Sequence, residues 1–278
     1  MKPFHIGDAE IGGARLFIIA GPCVVESEEL CLTVARRMKA LCAERDLPYV
    51  FKASYRKANR SSARTFAGLE IDQALAILAR VKREVGVAVL TDVHEEHECA
   101  PAAEVADVLQ IPAFLSRQTD LLTAAARTGR AVNVKKGQFL APLDMRHAVE
   151  KVTAAGNRKV IITERGVSFG YNNLVVDMRA FPILRSFGFP VIYDVTHSLQ
   201  LPGAGDGVTA GQAEFIEPMA CAGVGAGVDG VFMEVHQDPP RAKSDAQNAL
   251  RLDLLEPLLR RLMAIDAIAK DAEARVNG

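Results

Sequence analysis

The chain has 278 residues, 49% of them hydrophobic and 24% charged, and a formal net charge of -1. That length suits one large α/β domain, and the balanced charge gives no reason to expect nucleic acid or an anionic membrane as a partner, so a small-molecule partner is expected. No apolar run approaches the roughly 20 residues that cross a bilayer. The first residues also lack a signal-peptide core, and five cysteines without paired spacing fit reduced thiols, so a cytoplasmic protein is expected.

Residues 1–14 form a short polar start, an N-terminal extension to a domain spanning 15–278. Residues 15–21 are an unbroken apolar run, the mark of a strand buried on both faces. Ser27 is placed to cap the next helix, with Glu28 and Glu29 in its first turn and Leu30, Val34, Met38 and Leu41 on one stripe. The alternation repeats, with strands at 49–54, 87–92, 108–113, 131–137, 159–166, 190–198 and 230–236. The helices between them fall near 69–84, 121–127, 143–155, within 174–187, and at 211–227, and a long terminal helical region carries Leu250, Leu254, Leu258, Leu262 and Ile265. Eight β/α units predict a (β/α)8 TIM barrel in a single domain, with a doubly wound sheet as the other fold such alternation permits. The glycine-rich stretch 201–211 is either a lid over a site or a plain connection.

The stretch 52–62 holds four cations, three serines and one amide in eleven residues, with no acid. Lysine, arginine and short hydroxyl donors together suit phosphate oxygens. A solvated basic turn has the same composition, but these cations begin at the end of a strand, where barrels place ligands. Polar residues at the other strand ends are Cys23, Asp92, Gln110, Lys135, Lys136, Arg165, His197 and Glu234. Cys23, His197 and Glu234, joined by Asp245 after the eighth strand, offer a thiolate, an imidazole and two carboxylates, a set suited to Fe, Zn or Mn. Taken singly, a buried cysteine and a hydrogen-bonded core histidine are the more common reading of such residues. The glycine pattern at 225–230 precedes a strand instead of following one, and His94 and His97 lack zincin spacing. Cys31, Cys42, Cys99 and Cys221 have no ligand partner at a familiar spacing.

Four motifs carry a resemblance: Lys-Ala-Asn-Arg-Ser-Ser at 57–62, Asn-Val-Lys-Lys-Gly-Gln-Phe at 133–139, Arg165-Gly with Phe-Gly-Tyr-Asn-Asn-Leu-Val-Val-Asp at 169–177, and Asp-Val-Thr-His-Ser at 194–198. With them the sequence resembles the 3-deoxy-D-manno-octulosonate 8-phosphate synthase family along nearly its whole length. The resemblance implies a transferase that joins phosphoenolpyruvate to D-arabinose 5-phosphate in lipopolysaccharide biosynthesis, on a (β/α)8 barrel assembled as a homotetramer. It implies Lys57, Lys135 and Arg165, with Gln110 and Ser54 nearby, for phosphoenolpyruvate, and Asn59, Arg60 and Ser61 for the pentose phosphate. Lys52, Asp92, His197 and Asp245 are the implied catalytic group. Cys23 after Gly-Pro is similar to the metal-dependent members, whose other ligands correspond to His197, Glu234 and Asp245. The alternatives are the related heptulosonate 7-phosphate synthases, which use erythrose 4-phosphate and typically show Lys-Pro-Arg-Thr where this chain has residues 57–62, and a non-catalytic sugar-phosphate-binding barrel.

Overall fold

The computed structural model describes residues 2–58, 68–204 and 210–277, with side chains as far as Asp271. A hairpin of β1 (Phe4–Ile6) and β2 (Ala9–Ile11) comes first, followed by β3 (Phe17–Gly21), α1 (Glu28–Ala43) and β4 (Tyr49–Lys52). Next are α2 (Ile71–Val81), β5 (Ala88–Asp92), α3 (Glu96–Val105), β6 (Val108–Ile111), α4 (Thr119–Arg127), β7 (Ala131–Lys135), α5 (Met145–Ala154) and β8 (Val160–Glu164). A small hairpin of β9 (Val167–Ser168) and β10 (Leu174–Val175) precedes α6 (Ala180–Arg185), β11 (Val191–Asp194) and α7 (Val195–Ser198). The chain then runs through β12 (Gln200–Leu201), β13 (Ala210–Gly211), α8 (Ile216–Gly225), β14 (Gly230–His236), β15 (Leu250–Arg251) and α9 (Leu255–Asn277).

Strands β3 to β8, β11 and β14 are parallel neighbours, and β11 pairs with β14, so the sheet closes on itself as an eight-stranded barrel. Successive residues of a strand face opposite sides, and both sides here are dry. Outward residues such as Ile18, Phe51, Val89, Leu109, Val132, Ile162 and Tyr193 pack under the helices. Inward residues Phe17, Ile19, Val50, Leu90, Val108, Ala131, Ile161, Ile192 and Phe232 fill the lower lumen, and Ile6, Ala9 and Ile11 of the N-terminal hairpin join that same cluster. The lumen is therefore apolar below, and the next inward position up each strand is where polar side chains gather.

Ser27 caps α1, accepting from the Leu30 amide at 3.2 Å, and Leu30, Val34, Met38 and Leu41 are its buried stripe, as the periodicity predicts. The helix expected within 174–187 is the short α6, preceded by the β9–β10 hairpin, in whose turn Gly170 and Asn172 have positive φ. One expectation changes. The seventh strand stops at Asp194 instead of running to residue 198, because the Asp194 carboxylate accepts the His197 amide at 3.0 Å and so starts a turn of helix. Among the described residues no helix is long and apolar enough to cross a membrane.

Candidate active site

At the C-terminal ends of the barrel strands the inward positions carry Lys52, Asp92, Gln110, Asn133, Lys135, Thr163, Asp194 and Glu234, all buried. Buried charges need partners, and here they have them. Lys52 Nζ donates to Glu234 Oε1 at 2.5 Å and to the Cys23 carbonyl at 2.9 Å. Lys135 Nζ donates to Asp194 Oδ2 at 2.6 Å and lies 4.2 Å from the centroid of the Phe232 ring. Burial opposes ionisation of Asp92, yet Lys57, Lys52 and Lys135 outweigh it and hold that carboxyl well below its usual range. Asp194 is depressed in the same way, with His197 and Lys135 overcoming burial.

One corner of this floor collects metal-type ligands. Atoms of Cys23, Glu234 and Asp245 lie within 4.8 Å of one another, so these three side chains form a group able to hold a metal ion. Cys23 Sγ donates to Asp245 Oδ2 at 3.0 Å and sits 2.7 Å from Ser244 Oγ. His197 Nε2 reaches Glu234 Oε1 at 3.3 Å and Asp245 Oδ2 at 3.8 Å, while its Nδ1 is 2.9 Å from Asp194 Oδ1, which fixes the ring. Asp245 has φ +49°, a conformation that few residues other than glycine adopt and one that turns its carboxylate into the corner. The fit to a cation rests on Glu234: its Oε2 is buried without a hydrogen-bond partner among the described residues. Burial, then the Asp245 and Glu234 charges, push the Cys23 thiol well up, and a bound divalent cation reverses that balance by favouring thiolate.

Cations rim the same floor. Lys57 Nζ donates to Ser54 Oγ at 2.9 Å and lies 3.8 Å from Glu234 Oε1. Arg165 Nη2 donates to the His197 carbonyl at 3.0 Å and to Gln200 Oε1 at 2.7 Å, which leaves Nη1 buried without a protein partner among the described residues. A buried, unpartnered guanidinium nitrogen is suited to an anionic oxygen. Lys136 differs from its neighbour Lys135: its ammonium is enclosed by the carbonyls of Gly137, Leu140 and Gly166 and by Glu164 at 3.4 Å, so it braces loops instead of facing a ligand. Asn59, Arg60 and Ser61 lie outside the described residues, as do positions 205–209 of the glycine-rich stretch.

A family profile described as the DAHP synthetase I family matches residues 5–270. The chain belongs to the DAHP synthetase I family. Among similar curated proteins of that kind is one from Koribacter versatilis (strain Ellin345), 59% identical over 95% of this chain and 96% of its own. Another, from Trichlorobacter lovleyi, is 55% identical over 97% of this chain and 99% of its own, and one from Geobacter metallireducens is 55% identical over the same shares. All three carry the name 2-dehydro-3-deoxyphosphooctonate aldolase.

Against this DAHP synthetase I frame, several groups at the site lie outside the sequence expectations. Asp194 orients both Lys135 and His197, and Gln200 links Arg165 to Asp245 Oδ1 at 3.4 Å. Asn133 is the inward position two before Lys135, so a strict period of two would have found it. Nothing local marks Ser244 or Gln200. The other thiols stand apart from the chemistry: burial pushes Cys31 and Cys42 up to about 12 and Cys99 to about 11. His94 packs edge-on to the Tyr55 ring while His97 points outward, 76% exposed, so the two diverge.

Proposed function

We propose that this protein condenses phosphoenolpyruvate with D-arabinose 5-phosphate and water, giving 3-deoxy-D-manno-octulosonate 8-phosphate and inorganic phosphate for lipopolysaccharide biosynthesis. The observation that carries the reading is the buried, unpartnered Arg165 Nη1, tied through Gln200 to Asp245 of the Cys23, Glu234 and Asp245 corner that Lys57 also faces, in a chain whose relatives share that aldolase name. Two phosphorylated substrates repel each other, and fixed cations on a rigid floor remove that repulsion before the reaction begins.

In this reading Lys57, Lys135 and Arg165 hold phosphoenolpyruvate, with Ser54 and Gln110 near it, and Asn59, Arg60 and Ser61 take the pentose phosphate. C3 of the enol attacks the aldehyde carbon, whose oxygen gains a proton. Water adds at C2 and loses its proton, and the resulting phosphohemiketal expels inorganic phosphate to leave the keto acid. Asp245, close to His197 and Cys23, takes part in moving these protons, and Lys52 and Asp92 maintain the charge balance around it. A divalent Fe, Zn or Mn ion held by Cys23, His197, Glu234 and Asp245 would supply positive charge to orient the aldehyde or acidify the water. Free thiols throughout fit a cytoplasmic setting, and a homotetramer is part of the same proposal.

The test follows phosphoenolpyruvate consumption with D-arabinose 5-phosphate before and after chelation, and again with divalent metal restored. Loss and recovery support the reading. Turnover with erythrose 4-phosphate in place of the pentose would transfer it to the heptulosonate synthases, and binding without turnover would make the barrel a sensor. The residues Ala-Asn-Arg-Ser at 58–61, where that rival carries Pro-Arg-Thr, favour the pentose.

A further inference from the structure

Below the cations runs a chain of side-chain hydrogen bonds that crosses five consecutive barrel strands or their ends. Thr163 on β8 donates through Oγ1 to Asn133 Oδ1 on β7 at 2.6 Å, and Asn133 Nδ2 donates to Gln110 Oε1 on β6 at 2.8 Å. Gln110 Nε2 donates to Asp92 Oδ1 on β5 at 2.5 Å. From the other side, Lys57 Nζ donates to Ser54 Oγ just past β4 at 2.9 Å, and Ser54 donates to Asp92 Oδ2. Apart from Lys57 at the rim, every member is buried, so water cannot substitute for a lost partner.

The direction of the whole chain follows from one charge. Asp92, ionised among the lysines, only accepts. Gln110 must therefore turn its NH2 to Asp92 and its oxygen to Asn133. Asn133 must then turn its NH2 to Gln110 and its oxygen to Thr163, and only a hydroxyl donor at position 163 completes the series. On the other arm, Ser54 directs its proton to Asp92 and leaves its lone pairs to receive Lys57. Reversing any carboxamide would set two acceptors or two donors face to face in a dry lumen.

We propose that Thr163 and Asn133 are positioning residues that act on Lys57 through the Gln110–Asp92–Ser54 relay, four and three strands away from the cation they place. Neither has a contact with the metal-type corner in the bonds described above. The proposal rests on the reading of Lys57 as a phosphoenolpyruvate-binding cation.

Two substitutions at Thr163 separate a polar role from a packing role. Thr163→Val keeps the shape and removes the donor, whereas Thr163→Ser keeps the donor and removes a methyl group. The readouts are the KM for phosphoenolpyruvate, kcat, and the rate of Lys57 reductive methylation measured by peptide mass spectrometry. The relay predicts a KM raised at least fivefold on the order of one lost hydrogen bond and faster Lys57 labelling in Thr163→Val, with Thr163→Ser within twofold of the parent in both. Asn133→Asp, which forces the Gln110 carboxamide to turn over, loses at least tenfold in kcat/KM. Thr163→Ser as impaired as Thr163→Val or worse, or both unchanged, overturns the relay. A parent protein that consumes no phosphoenolpyruvate refutes the proposed reaction instead, and the labelling order of the two Thr163 variants then decides the relay alone.

Discussion

Replacing Lys52 by Met isolates the ion pair at the centre of the floor. The thioether chain fills most of the volume of the lysine stem, so little cavity is opened, but Glu234, 1% exposed, loses the ammonium 2.5 Å from its Oε1. Breaking a buried pair by removing one partner costs about 3–5 kcal/mol. His197 at 3.3 Å and Lys57 at 3.8 Å still face that oxygen, which places the expected loss at the lower end of that span. For a chain of this size about 3 kcal/mol lowers Tm by roughly 5 °C. Thermal unfolding of the chelated protein, followed by circular dichroism, measures it. Adding a divalent cation shrinks the deficit, because the carboxylate then has a second counter-charge. Combining Lys52→Met with Glu234→Gln should cost less than the sum of the single changes by about 1–3 kcal/mol. A Tm for Lys52→Met within about 2 °C of the parent, on that same size scale, would refute the argument that this carboxylate depends on Lys52.

Cys23→Ala is expected to abolish most phosphoenolpyruvate turnover and to lower metal retained after dialysis, while Cys31→Ala, in the packed face of α1, keeps activity at a stability loss of about 1 kcal/mol read from urea midpoints. Asp245→Asn keeps a residue that tolerates φ +49° but removes the charge, so the fold persists and metal affinity falls on the order of 10-fold or more by calorimetry. Asp92 and Asp194 have folded pKa values below their unfolded ones, so their stabilisation is fully present above about pH 4 and is lost as pH falls through the folded values. Urea midpoints between pH 3 and pH 6 should therefore fall on the acid side, less steeply in Asp92→Asn, and a parent-like slope in that variant would show that the carboxylate is not held by the lysines.

The eight β/α units were legible in the sequence because strands covered on both faces leave continuous apolar runs and the helices between them carry a 3.6-residue stripe. The pleat also brings Lys52, Asp92, Gln110 and Glu234 to one end of the lumen, since each sits two residues past an inward apolar side chain, Val50, Leu90, Val108 and Phe232, and it brings Lys135 there two residues past the inward Asn133. Lys135 and Lys136 read alike in the sequence, but one residue of pleat turns them to opposite sides, Lys135 to Asp194 and Lys136 to the loop carbonyls. The sequence pattern extends the strand through His197, and only the Asp194 cap reveals that a helical turn presents it. The proximity of Cys23 to Asp245, 222 positions apart, depends on barrel closure through β3 and β14 and on the positive φ of Asp245, neither of which leaves a local signal. The hydrogen-bond polarity from Thr163 to Lys57 was equally hidden: a side chain's donor and acceptor ends acquire direction only from partners on neighbouring strands, and the sequence by itself determines the strands but not which atoms meet across them.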